Sequence, residues 1–312
     1  PKDGKIFCVK IIRAKHAGFC FGVRRAYDLA LQPRGNAVRT LGELIHNPEV
    51  LEELSSRGVR SVSAISRISG GTVIIRAHGI SRKKLQALRY KKSKVIDASC
   101  PFVQKIHLEV AKFAERGIPV VIVGRRNHPE MRAVVEDFPE VLVVSLISDR
   151  RLRRYAGKQV AVLAQTTETP ERFSAIVKEL QKLKAKVAAL KTICGATIER
   201  QTAAVDLAHK VDRMLVIGGK KSNNTKQLFD LVRKIVPSHW VENEKEIRKN
   251  WLRGVKKVGI TAGASTPENT IRKVEDRIGK FSAKQVPFQP SPRSDVMSGG
   301  LRRTGKGHLL LR

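Results

Sequence analysis

Cysteine is the residue in this chain with the clearest capacity for chemistry, and its spacing excludes the commonest uses. Cysteines stand at 8, 20, 100 and 194, and no two form a CxxC pair. Zinc ribbons and dithiol redox motifs need such close pairs. Three of the four open a helical pattern: "FGVRRAYDLALQ" follows Cys20, "PFVQKIHLEVAKFAERG" follows Cys100 and "GATIERQTAAVDLAHK" follows Cys194. A helix N-terminus carries partial positive charge, which favours a thiolate. Three converging thiolates would suit a soft metal centre. Structural zinc takes four protein ligands, and iron–sulfur clusters are normally held by four cysteines. A cubane held by three leaves one iron open to a substrate oxygen. The competing reading makes each cysteine a small buried core residue. Cys8 has no equivalent and reads as a strand residue.

Polar loops recur at matched distances from these cysteines. The first lies 26, 28 and 28 residues on, at His46, His128 and Ser222. The second lies 58, 66 and 71 residues on, at His78, Thr166 and Ser265. "GGKKSNNTKQL" places Ser222, Asn223 and Asn224 after two glycines and before a helix, where backbone N–H groups can cradle phosphate oxygens. Ser265 precedes "TPENT", a helix-cap pattern. Each could be an ordinary cap, but the three histidines in corresponding loops fit diphosphate recognition. His16, His107, His209, His239 and His308 share no such position. Glu130 follows His128 and Pro129; it could deliver protons if burial raises its pKa, or simply favour the helix dipole.

The elements that must position these residues form three tandem units. After each cysteine come a helix, a short apolar strand ("NAVRTLG", "IPVVIVG", "VDRMLVIGG"), a polar loop and a second helix. A second strand, a second loop and a third helix follow, as in "GTVIIRAHGISRKKLQAL". Strands alternating with helices imply α/β architecture with small parallel sheets. Ligands bind such sheets beyond the carboxyl ends of their strands, where His46, His78, His128, Thr166, Ser222 and Ser265 fall. Cys100 follows "KVIDAS" and Cys194 follows "LKTI", both read as strand ends. Units at 10–99, 100–193 and 194–281 around a pseudo-threefold axis would aim these loops at one centre holding three thiols and a ring of His, Ser, Thr and Asn, a candidate iron–sulfur site. A basic, Pro/Ser/Gly-rich tail at 282–312 reads as disordered.

Composition sets outer bounds. The chain has 312 residues, 41% of them hydrophobic, enough for a core. No apolar run approaches the ~18 residues of a membrane span. The opening "PKDGKIFCVK" lacks a secretory h-region, so a soluble cytoplasmic protein without a membrane partner is expected. Net charge is +33, only +5 of it in the tail. No basic block interleaved with aromatics occurs, so the charge does not point to nucleic acid as the main ligand. A phosphate- or nucleic-acid-binding α/β protein without a cluster remains the alternative at this stage.

"AGFCFGVRRA", "IHNPEV", "RAHGIS", "DASCPFVQKIH", "NHPE", "AQTTET", "TICGATIERQ", "SNNTKQL" and "TAGASTPE" resemble, in this order, the motifs of the LytB family. The resemblance runs from about Lys10 to Phe281. It implies three α/β domains around a [4Fe–4S] cluster with three cysteine ligands, Cys20, Cys100 and Cys194, and one open iron. It implies a diphosphate pocket at His46, His78, His128, Ser222, Asn223, Asn224 and Ser265. It implies proton delivery by Glu130, with Thr166 and Thr167 near a substrate hydroxyl. The family reaction is the two-electron reductive dehydration of hydroxymethylbutenyl diphosphate to isopentenyl and dimethylallyl diphosphates, the last step of the methylerythritol phosphate route. Electrons would come from an acidic donor such as ferredoxin or flavodoxin, which a basic face would attract. Asn223 stands where some relatives have serine, and Arg125 and Arg126 make one loop more basic than usual.

Overall fold

The computed structural model describes residues 9–32 and 37–282. Cys8 and residues 283–312 of the tail lie outside the described residues. In chain order the elements are β1 (Lys10–Arg13), α1 (Phe21–Leu31), β2 (Val38–Leu41), α2 (Pro48–Ser56), β3 (Val59–Val62), β4 (Thr72–Ile75), α3 (Arg82–Tyr90) and β5 (Lys94–Asp97). Next come α4 (Pro101–Glu115), β6 (Val120–Val123), α5 (Pro129–Asp137), β7 (Leu142–Val144), β8 (Gln159–Ala164), α6 (Pro170–Lys182) and β9 (Lys186–Ala189). The last third holds α7 (Gly195–Ala208), β10 (Arg213–Ile217), α8 (Asn223–Val232), β11 (Ser238–Val241), β12 (Lys257–Ala262) and α9 (Glu268–Ser282).

The strands form three four-stranded sheets in one repeated order: β3-β2-β4-β5, β7-β6-β8-β9 and β11-β10-β12-β1. Every pairing is parallel. The expected α/β class and three units are therefore present, with two corrections. First, the opening strand does not belong to the first unit, as a 10–99 boundary would have it. β1 pairs with β12, Lys10 opposite Lys257 through Arg13 opposite Ile260. The physical reason is the repeat itself. The fourth strand of each sheet leads into the cysteine of the next unit: β5 into Cys100, β9 into Cys194 and β1 into Cys20. Second, the outer strands β3, β7 and β11 follow the second helices, between which and the next strand no further strand was expected. "LKTI" is likewise not a strand; β9 ends at Ala189, and Thr192 instead bonds through its hydroxyl to the Ala164 backbone.

Helices cover both faces of each sheet, as parallel sheets require. In the second sheet Val121, Val123, Val160 and Val162 pack against Phe173, Ile176 and Leu180 of α6. Val120, Ile122, Ala161 and Leu163 pack on the other face against Ile106, Val110 and Phe113 of α4 and Met131 and Val134 of α5. Burying each such large side chain contributes about 1.5–3 kcal/mol. These cores hold the strand ends rigid, and so hold the loops beyond them. Several helices start at fixed points because proline occupies their first turn and a side chain caps them. Asn47 accepts from Val50 N–H ahead of Pro48, and Thr169 accepts from Arg172 N–H ahead of Pro170.

Candidate functional site

All three expected cysteines, together with every expected binding and proton-delivery residue, line one cavity between the three units. Each cysteine is placed in the same way. Cys20, Cys100 and Cys194 are the N-caps of α1, α4 and α7. Each donates its backbone N–H to a carbonyl in a second polar loop: Cys20 to Ala264 (3.3 Å), Cys100 to Ala77 (3.0 Å) and Cys194 to Thr166 (3.0 Å). The loop that pins each cysteine belongs to the sheet that precedes it around the ring. Gly22 makes room for this convergence, since a Cβ there would lie 2.5 Å from Cys100 Sγ.

The thiols of Cys100 and Cys194 do not have the low pKa expected of helix N-termini. Burial pushes Cys100 up, and burial likewise pushes Cys194 up. Backbone N–H groups of Phe102 and Val103, or of Ala196 and Thr197, pull the other way and do not prevail. The charge of neighbouring thiolates adds to the rise. Three thiolates can therefore share this cavity only against a cation. That donor set, soft and anionic with no fourth cysteine among the described residues, fits a metal–sulfur centre held at three points.

Three histidines form the next layer. Ring centroids are 4.7 Å apart for His46 and His78, 5.2 Å for His78 and His128, and 6.1 Å for His46 and His128. His128 is the cap of α5, its Nδ1 accepting from Glu130 N–H at 3.3 Å. Its proton then sits on Nε2. Burial drives His128 down to about 3, helped by the charges of His46, Arg125 and Arg76, so it stays a neutral donor. Burial also holds His78 well below its usual value. His46 Nδ1 lies 3.0 Å from Glu43 Oε2. His46 was matched with the caps His128 and Ser222, but the cap of α2 is Asn47, one residue on. Gly219 lets the third unit close against this loop, because a Cβ there would meet the His46 carbonyl at 2.5 Å. Ser265 Oγ donates to the same carbonyl at 3.2 Å.

Hydrogen bonds assign the remaining polar groups. Ser222 Oγ accepts from Thr225 N–H, which leaves its proton for a ligand, so cap and binder are one residue. Asn223 Oδ1 accepts from Arg125 at 3.3 Å while its Nδ2 donates to Thr167 Oγ1 at 2.7 Å. Both amide atoms of the buried Asn224, and Nδ1 of His78, have no partner in the protein. Leaving such groups unmet costs about 1–3 kcal/mol each; a polar ligand would meet them. Thr167 Oγ1 also accepts from Gln165 Nε2 at 3.2 Å. With both lone pairs engaged, Thr167 can only donate onward. Thr166 is its complement: its hydroxyl donates to Glu130 Oε2 at 2.8 Å and its N–H to Oε1 at 2.9 Å.

Glu130 is buried, and burial raises its pKa to about 7 despite the two Thr166 hydrogen bonds that lower it. It can thus hold a proton near neutrality and release it. Arg200 was not anticipated from the sequence. It lines the cavity beside Cys194 and Thr197. The available signal was the spacing of Thr197, Arg200, Gln201 and Ala204, a helical stripe that is buried although three of its members are polar. Arg125 was noted only as excess charge, yet it orients Asn223. His107 pairs loosely with Asp137 at 3.7 Å and His239 stacks on Trp251 at 3.8 Å, so both serve the surrounding structure.

Comparison with known proteins agrees with this geometry. The family described as LytB protein matches residues 11–279. A 4-hydroxy-3-methylbut-2-enyl diphosphate reductase of Geobacter sp. (strain M21) is 41% identical over 284 residues, covering 89% of this chain and all of the relative. The enzyme of the same name from Aquifex aeolicus is 41% identical over 286 residues, covering 89% of this chain and 99% of the relative. A solved (E)-4-hydroxy-3-methyl-but-2-enyl diphosphate reductase, described as the terminal enzyme of the non-mevalonate pathway, is 40% identical. It superposes with a TM-score of 0.65 over 87% of this chain and 99% of its own. The Plasmodium falciparum E-1-hydroxy-2-methyl-but-2-enyl-4-diphosphate reductase, 26% identical, reaches 0.81 over 86% and 87%. With its fold and its cavity already described, the chain belongs to the LytB protein family.

Proposed function

We propose that this chain is an iron–sulfur reductase acting on 4-hydroxy-3-methylbut-2-enyl diphosphate. Two electrons and two protons enter, the allylic C–O bond breaks, water leaves, and isopentenyl and dimethylallyl diphosphates form. The observation that carries the reading is the convergence of three thiols, three histidines and a buried glutamic acid on one cavity. Cys20, Cys100 and Cys194 would hold a [4Fe–4S] cluster with one open iron. Bound there, the cluster supplies electrons and a Lewis-acidic site for the hydroxyl.

The protein's own groups do the rest. His46, His78 and His128, with Ser222, Asn223, Asn224 and Ser265, bind the diphosphate and convert its affinity into placement of the hydroxyl. Thr167 donates to that hydroxyl. Protonated Glu130 donates to Thr166 Oγ1, and the Thr166 hydroxyl, turned from the carboxylate it holds in the free protein, donates its own proton to the substrate oxygen. The units close around the substrate and keep bulk water away from the reacting carbon.

The test is anaerobic reconstitution followed by turnover of the diphosphate with an artificial reductant. About four iron and four sulfide per chain are expected, as a cubane requires, together with both products. A colourless, iron-free protein that binds RNA more tightly than the diphosphate would overturn the reading.

Electrons must come from a partner. Phe21, Phe102 and Ile198 lie within four residues of the three cysteines and are 67%, 42% and 40% exposed. Arg24 and Lys105 are exposed on the same α1 and α4. This face suits an acidic one-electron donor such as ferredoxin or flavodoxin. Reduction by such a donor should slow as salt screens the attraction. Stopped-flow rates that stay flat from low to high ionic strength would remove this face from donor docking.

A further inference from the structure

Arg200 is buried, 4% exposed, in the second turn of α7. Its Nη2 donates to the Gly18 carbonyl at 2.8 Å and its Nη1 to the Ala196 carbonyl at 3.1 Å. Its Nε has no partner. Among the described residues no carboxylate lies within ion-pair distance of it. Its neighbour Glu199 is exposed and faces His16 instead. Removing a guanidinium from water costs several kcal/mol, which neutral carbonyls do not repay in full. A counter-charge is therefore missing from the protein part of this site.

The groups that can supply it are sulfur. Burial pulls the Arg200 pKa down, while the thiols of Cys20 and Cys194 push it back up more than any other neighbour. All three side chains line the one cavity. The bond to Gly18 also reaches across units, joining the loop that carries Cys20 to the helix that Cys194 caps.

We propose that Arg200 is a positioning residue whose fixed positive charge balances the metal–thiolate centre and raises its reduction potential. The inference rests on the iron–sulfur reading above. A dipositive cubane core with three thiolates carries one net negative charge, and two after reduction. A cation at close range in a low-dielectric site stabilises the more negative state. Arginine suits the task because it stays protonated.

Arg200→Gln and Arg200→Lys, reconstituted anaerobically beside the wild type, test this by two readouts. Iron and sulfide are counted per chain, and the one-electron midpoint is measured by EPR-monitored redox titration. With Gln, reduction should become at least about tenfold less favourable, a midpoint lower by about 59 mV, at unchanged iron content. Lys, which keeps the charge, should restore most of that loss. An unshifted midpoint in Arg200→Gln, or equal shifts in both variants, would overturn the inference. If Gln loses iron, retention by Lys supports the charge role, and loss in both variants overturns it. A wild-type chain without iron would instead refute the reading beneath.

Discussion

Replacing Glu130 with Gln should leave diphosphate binding nearly unchanged and lower kcat by about 10²–10⁴-fold, the usual contribution of a positioned general acid. Gln keeps the shape and can accept from Thr166, but it has no proton to give. The wild type should show a matching pH profile. Burial raises the Glu130 pKa to about 7, so the acid is loaded below that value and kcat should fall as pH rises through it. Stability should follow the same group with the opposite preference to a salt-bridged carboxylate. Its pKa is higher folded than unfolded, so ionisation is disfavoured in the folded chain. Stability should decline between about pH 4.5 and 7 and level off above, by on the order of 3 kcal/mol. The Gln variant should lack that slope in urea titrations. Thr166→Val removes a hydrogen bond that favours the charged form, so it should move the alkaline limb upward. Wild-type turnover in Glu130→Gln would exclude this residue from proton transfer.

The second large effect concerns sulfur. Cys100→Ala should lose nearly all bound iron after anaerobic reconstitution, with activity falling in parallel. A core cysteine would give a small loss of stability and no change in iron. Gly22→Val makes the same point without removing a thiol. Its Cβ would fall 2.5 Å from Cys100 Sγ, so the sulfur must move. Iron content should fall while thiol titration still counts every cysteine. If Gly22→Val holds a full complement of iron, the Cys100 sulfur is not where the centre is built.

Much of this was legible in the sequence because it is local. A cysteine before an amphipathic stretch, a polar loop after an apolar strand, and their common spacing need no tertiary knowledge. Cys20, Cys100, Cys194 and the three loop histidines came from that pattern, and the structure gathers them. What sheet a strand joins is not local. "KIIR" at β1 could pair with any apolar strand, and only the vacancy beside β12 decides it. Two of the outer strands, β3 and β11, escaped for a related reason. "VRSV" in β3 is half exposed and "SHWV" in β11 is half polar, so neither shows the continuous apolar run of a central strand. The Cys100 and Cys194 thiols departed from expectation because burial, a tertiary property, outweighs the local field of a helix end. Arg200 could be weighed only once its surroundings were known, since a buried arginine and a surface arginine look alike in a sequence.

The pairing of β1 with β12 has a consequence for biogenesis. The strand at 10–13 is made before every other described strand, yet its partner at 257–262 is made after all of them. The loop between them costs entropy that grows only slowly with length, but the contact is the most non-local strand pairing among the described residues and should form late. Until it does, the backbone of Cys20 lacks its anchor at Ala264. The first two units can each build a sheet during synthesis, but the third thiol is not positioned until the ring is joined. Metal loading is thereby deferred until the segment 257–264 has been made, and a chain arrested before residue 257 would offer two placed sulfurs and one adrift.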